Sequence, residues 1–107
     1  MWNRRSLLVL PAALAVAAGC ARSRPRVHVV RISGMAFDTL PTDARVGDVI
    51  EWVNADPVQH TATARDGAFD VDLAPGARAR TKLAAPGEHE VYCRYHPAMT
   101  ARLEVKA

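Results

Sequence analysis

Aromatic residues are scarce in this chain, only 6% of the total, and they are not interleaved with basic ones. The stacking platforms and cationic grooves that hold nucleic acids are therefore missing. The 14 basic and 11 acidic residues are scattered rather than gathered into blocks, which excludes a charged interaction tail. No segment carries a helical apolar stripe of useful length, so a helix bundle is excluded, and no internal repeat or second domain appears. The longest nearly apolar stretch, Ser6 to Gly19, has 14 residues, too few for a bilayer that needs about 20. With two cysteines, a disulfide scaffold is excluded as well.

What is present begins at the N-terminus. In MWNRRSLLVLPAALAVAAGC, Arg4 and Arg5 precede the apolar stretch and small residues follow it, the pattern of a signal peptide over residues 1–19. NRRSLL resembles a twin-arginine export signal. AAGC resembles a lipoprotein cleavage box with Cys20 as the lipidated residue, although Ala17 stands where leucine is usual. Residues 20–26 then read as a flexible tether. Its Arg22, Arg24 and Arg26 suit either an anionic membrane surface or a plain soluble linker. Without Arg4 and Arg5 the mature chain is 12 basic against 11 acidic, and from Val27 onward 9 against 11. Export leaves one domain of about 88 residues, near the lower limit for an unassisted core, where a bound metal would help. It also places the chain in the periplasm or on the outer face of the cell membrane. With Cys20 lipidated, Cys93 has no disulfide partner in that oxidising compartment and needs another occupation.

From Val27 to the C-terminus the pattern is strand after strand: 27–32, 49–54, 60–64, 77–83, 89–93 and 101–106, separated by Gly, Pro, Asp and Asn. Ile50 and Trp52 share one face, Val91 and Cys93 another, and Trp52, Phe69 and Leu103 read as core. This predicts an all-β fold, a compact antiparallel β-sandwich of Greek-key type over residues 27–107. The histidines at 28 and 89 sit in alternating strands and read as surface or half-buried structural residues.

The segment YCRYHPAM concentrates chemistry. Cys93, His96 and Met99 lie at three-residue spacing on a segment that Pro97 keeps out of a helix, and a short loop between two strands can aim all three inward. His60, at the start of another strand, is the candidate fourth partner. Taken alone, Cys93 reads as a buried inert thiol; metal ligation gains from its neighbours. Zinc seldom needs a thioether, and calcium and magnesium want oxygen. A thiolate, two imidazoles and a weak axial thioether suit copper, because the sulfurs favour Cu(I) and the imidazoles accept both oxidation states.

On these residues, with VGDVIEWVNADPVQHTATARDGAFD and PGEHEVYCRYHPAMTARLEV around them, the chain resembles the small type 1 blue copper proteins, the cupredoxins, most nearly the amicyanin and plastocyanin branch. The resemblance implies a cupredoxin-like sandwich with one type 1 copper cycling between Cu(I) and Cu(II), held by His60, Cys93, His96 and axial Met99. It implies a carrier of single electrons rather than an enzyme. Partners would be redox proteins such as a c-type cytochrome, a dehydrogenase or an oxidase, met by a monomer through the edge of His96. An apolar surround of Pro57, Val58, Pro97 and Ala98, with Met35 equally well explained by loop packing, would form the meeting surface. The chain departs from the family at Thr61, where asparagine commonly ties the two ligand loops together, and at Arg94 and Tyr95, where a proline is frequent. A hydroxyl at Thr61 can make a similar but shorter bridge, with a looser or rearranged frame around Cys93 as the consequence. A copper delivery or storage module is the alternative, but it is not favoured by a sequence without methionine-rich or histidine-rich tracts. A metal-free adhesion sandwich leaves four converging donors to chance.

Overall fold

The computed structural model describes residues 24–107, so the signal peptide and residues 20–23 of the tether lie outside the described residues. Among the described residues nine strands form two sheets. One sheet holds β1 (Val27–Ser33), β2 (Ala36–Phe37), β4 (Val49–Asn54) and β7 (Arg78–Lys82) in the order β2-β1-β4-β7. The other holds β3 (Ala44–Arg45), β5 (His60–Ala64), β6 (Asp70–Leu73), β8 (Gly87–Tyr92) and β9 (Thr100–Lys106) in the order β3-β9-β8-β5-β6. The Greek-key sandwich expected from the alternation is therefore present. It is not wholly antiparallel: β1 runs parallel to β4 and β3 parallel to β9. After the antiparallel β1–β2 pair the chain crosses to the opposite sheet to make β3, then returns to lay β4 beside β1 in the same direction, as a parallel pair requires. The short β2 and β3 have too few residues to show alternation. In β6, Asp70 and Asp72 disguise an edge strand whose carboxylates both meet Arg94.

The core lies between the sheets. Val30, Ile32, Ile50 and Trp52 face Leu73, Val91, Leu103 and Val105, all buried. Trp52 is completely enclosed: Phe37 meets it edge-on at 6.0 Å, and Phe69, partly buried, lies at 5.9 Å. Its indole N–H donates to Thr81 Oγ1 at 3.0 Å, so the largest core residue leaves no polar atom unpaired. Glu51, on the outer face of the same strand, meets Arg78 and Arg80. At the end of β4 the alternation stops, and Val53 and Asn54 are both buried. His28 and His89 both face carboxylates. His28 Nε2 is 3.0 Å from Asp48, and His89 lies deeper than its strand pattern suggested, held at 2.7 Å by Asp66 and at 2.8 Å by the Ala85 carbonyl.

Registers place two ends. Val27 lies beside Val49 and Ile32 beside Asn54, so the chain enters at one end of the sandwich and β1 runs toward the other. His60, paired with Leu73, and Tyr92, paired with Thr100, belong to that far end.

Candidate metal centre

At the far end, β5 begins with His60 and Cys93 stands one residue past the end of β8, rather than inside it as its alternation suggested. The segment between β8 and β9 is two turns placed end to end. His96 N–H donates to the Cys93 carbonyl at 3.2 Å and Met99 N–H to the His96 carbonyl at 2.8 Å. Cys93 N–H then closes the loop on the Met99 carbonyl at 3.2 Å. These turns explain the spacing, since each returns the chain to the same side after three residues. Pro97 occupies the second position of the second turn, where its fixed φ is an advantage.

Three donor atoms, from His60, Cys93 and His96, lie within 4.8 Å of one another, the only such grouping of His, Cys, Asp and Glu among the described residues. Cys93 Sγ is 3.8 Å from His60 Nδ1 and 3.5 Å from His96 Nδ1, and the two rings stand at 65°. His60 and Cys93 are fully buried, while His96 is half-buried. Met99 is buried in the core and bound through its backbone to both Cys93 and His96.

The electrostatics favour a thiolate. Burial works against ionisation of Cys93, but hydrogen bonding, led by the Thr61 N–H 3.4 Å from Sγ, outweighs it and brings the thiol down to about 6. Ordinary thiols titrate near 8.5, so at neutral pH this sulfur is a ready metal ligand. Thiolate, imidazole and a neighbouring buried thioether form a donor set that suits copper, and the residues present fit a single site for it.

Thr61 makes the bridge that the missing asparagine left in question. Its Oγ1 accepts the Arg94 N–H at 2.9 Å and shares a hydrogen bond with Thr63 Oγ1, also at 2.9 Å. Thr63 continues to Asp70 at 2.8 Å, and the Arg94 side chain returns to Asp70 and Asp72. A closed polar circuit thus ties the ligand loop to β5 and β6. Sequence reasoning missed two further residues. Asp56 accepts from His60 at 2.8 Å and is oriented by buried Asn54. The Met35 N–H, then the His60 imidazole, holds its carboxyl below the usual range, against burial. The signal that could have found it is the four-residue interval between Asp56 and His60.

No family model matches the chain, and no curated protein does. Solved structures do. The Cu(I) form of a methionine-to-alanine variant of amicyanin matches with a TM-score of 0.66 at 22% identity, over 80% of this chain and 88% of that one. An oxidized methionine-to-leucine variant of amicyanin matches at 0.66 and 20% identity, over 74% of this chain and 81% of that one. The chain has the cupredoxin fold. A copper-containing nitrite reductase from Thermus scotoductus SA-01 also contains it: the match has a TM-score of 0.66 at 26% identity, over 92% of this chain but 27% of that one. In this cupredoxin fold His60 comes from the start of β5 and Cys93, His96 and Met99 from the β8–β9 connection, and the first three bring their donor atoms together at one end of the sandwich.

Proposed function

We propose that this protein is a type 1 copper electron carrier, in which His60, Cys93 and His96 would be the strong ligands and Met99 a weak fourth. The observation that carries the reading is the tight, buried meeting of Cys93 Sγ with two imidazole Nδ1 atoms, at 3.8 and 3.5 Å. When bound, copper supplies a one-electron couple. The chain's own residues hold it: the two turns keep the loop donors together, and the core excludes water from Cys93 and His60. The edge of His96 is the exit for the electron. Pro57, Val58, Pro97 and Ala98 are all exposed on the two loops that carry His60 and His96. Such a surface suits brief docking with a redox protein, for which a c-type cytochrome, a dehydrogenase or an oxidase is the candidate partner. The carrier acts as a monomer in the periplasm or at the outer face of the membrane. A lipid on Cys20 would hold the domain to the membrane through the tether that precedes β1.

The test is the absorption of the mature protein after Cu(II) addition. Charge transfer from the Cys93 thiolate should give intense blue or green colour that ascorbate removes, and Cys93→Ser should abolish the colour in a folded protein. A colourless Cu(II) complex of the unmodified protein would refute the type 1 reading. Stoichiometric loss of copper to an acceptor on reduction would favour copper delivery instead.

A further inference from the structure

Asp56 is engaged on every side. Its Oδ1 accepts the Gly34 N–H at 2.7 Å, and its Oδ2 accepts the Met35 N–H at 2.9 Å while standing 2.8 Å from His60 Nε2. Its own N–H donates to Asn54 Oδ1 at 2.9 Å. The Asn54 amide is in turn pinned by the carbonyls of Val58, Leu73 and Ala74. Gly34 and Met35 both have φ of 63°, and Met35 is the one non-glycine residue with positive φ among the described residues. For a residue with a side chain this left-handed conformation is strained and persists only when neighbours impose it. Here the imposing group is the carboxylate: two successive N–H groups form a small nest that receives it.

A carboxylate only accepts hydrogen bonds, so the His60 nitrogen facing it must carry the hydrogen. In a neutral imidazole the other nitrogen then holds a free lone pair. That nitrogen, Nδ1, is the one turned toward Cys93 Sγ. We infer that Asp56 is a positioning residue of the metal centre: it imposes on His60 the tautomer that leaves Nδ1 free for the metal, and it locks the ring to the exposed Gly34–Met35 turn. Negative charge behind the imidazole also makes it a stronger donor, which favours the more highly charged oxidation state of a bound ion. One carboxylate therefore joins a turn at the surface to a buried ligand.

The first experiment needs no metal. In the apo full-length protein labelled with ¹⁵N-histidine, long-range ¹H–¹⁵N correlation at pH 8 should show His60 protonated at Nε2 and bare at Nδ1. Protonation at Nδ1 would overturn the inference. The second uses Asp56→Asn, in which one carbonyl oxygen replaces two oxygens that serve three donors. The tautomer should become mixed or reversed, and affinity for Cu(II) should fall about 10- to 100-fold. Each tenfold loss not matched for Cu(I) raises the one-electron potential by about 59 mV. An Asn variant that is merely less stable, with tautomer and potential unchanged, would refute the positioning role. Should that variant fail to fold, Asp56→Glu keeps the carboxylate and must keep the Nε2–H tautomer. The potential rests on the copper reading, whereas the tautomer does not, so a colourless copper complex and an Nδ1–H histidine are separate failures.

Discussion

Thr61→Val is the sharpest test of how this sandwich holds its ligand loop. The two side chains have nearly the same volume and similar fitness for a strand, so the substitution removes the hydroxyl and little else. Thr61 is fully buried, and its Oγ1 serves both the Arg94 N–H and Thr63 Oγ1 at 2.9 Å. Each lost bond costs about 0.5–1.5 kcal/mol net, and a buried donor left unpaired costs about 1–3 kcal/mol. Thr63 retains Asp70, so its share belongs at the low end, whereas the Arg94 N–H has no second acceptor among the described residues. The sum is about 2–3 kcal/mol. For a domain of this size that lowers Tm by roughly 10–20 °C. Urea unfolding of the apo protein should move to lower midpoint with unchanged slope, which separates lost stability from a changed unfolded state. A loss below about 0.5 kcal/mol, the range of ordinary surface changes, would show that the hydroxyl does not tie the ligand loop to β5.

Three other outcomes are expected. Burial opposes ionisation of Asp48, but His28 and the N–H groups of Arg26 and Arg45 bring its carboxyl down to about 2. A carboxyl lowered on folding stabilises the protein above about pH 4, and that share, about 2 kcal/mol, is lost as pH falls toward 2. Urea unfolding between pH 5 and pH 2 should therefore be flatter in Asp48→Asn, and identical pH slopes would remove Asp48 from the account. Met99→Leu should keep the colour and raise the reduction potential, because the weak donor that helps Cu(II) is gone; loss of copper altogether would show that Met99 is not axial. Ala98→Glu places a carboxylate on the exposed surround of His96, so stopped-flow reduction by a cytochrome should slow several-fold with little change in the spectrum. Equal rates would place the electron's exit elsewhere.

Local pattern carried much of this molecule. The strands at 49–54 and 60–64 appear with the bounds their residues predicted, because period-two alternation and flanking turn residues act over a few positions and need no distant partner. The same holds for the ligand loop. A short loop between two strands follows from YCRYHPAM and its proline, and in the fold it consists of two consecutive turns, 93–96 and 96–99. The residue type at Thr61 allowed a hydroxyl bridge between the ligand loops, and the fold decided that it is made, to the Arg94 N–H.

Sequence by itself thus determined the fold class and the residue types of a candidate copper site. Only the tertiary structure decided the rest. The directions of β4 and β9 depend on crossings between the sheets, and a strand's alternation reads the same whichever way its neighbour runs. β6 is held as a strand by pairing with β5 and by Arg94, which overrides the poor strand propensity of its two aspartates. Asp56 is the clearest case. In the sequence it is one acidic residue in a loop, ordinarily solvated. In the fold it is enclosed by the Gly34–Met35 turn, Asn54 and His60, and a carboxylate removed from water must take its hydrogen bonds from whatever surrounds it.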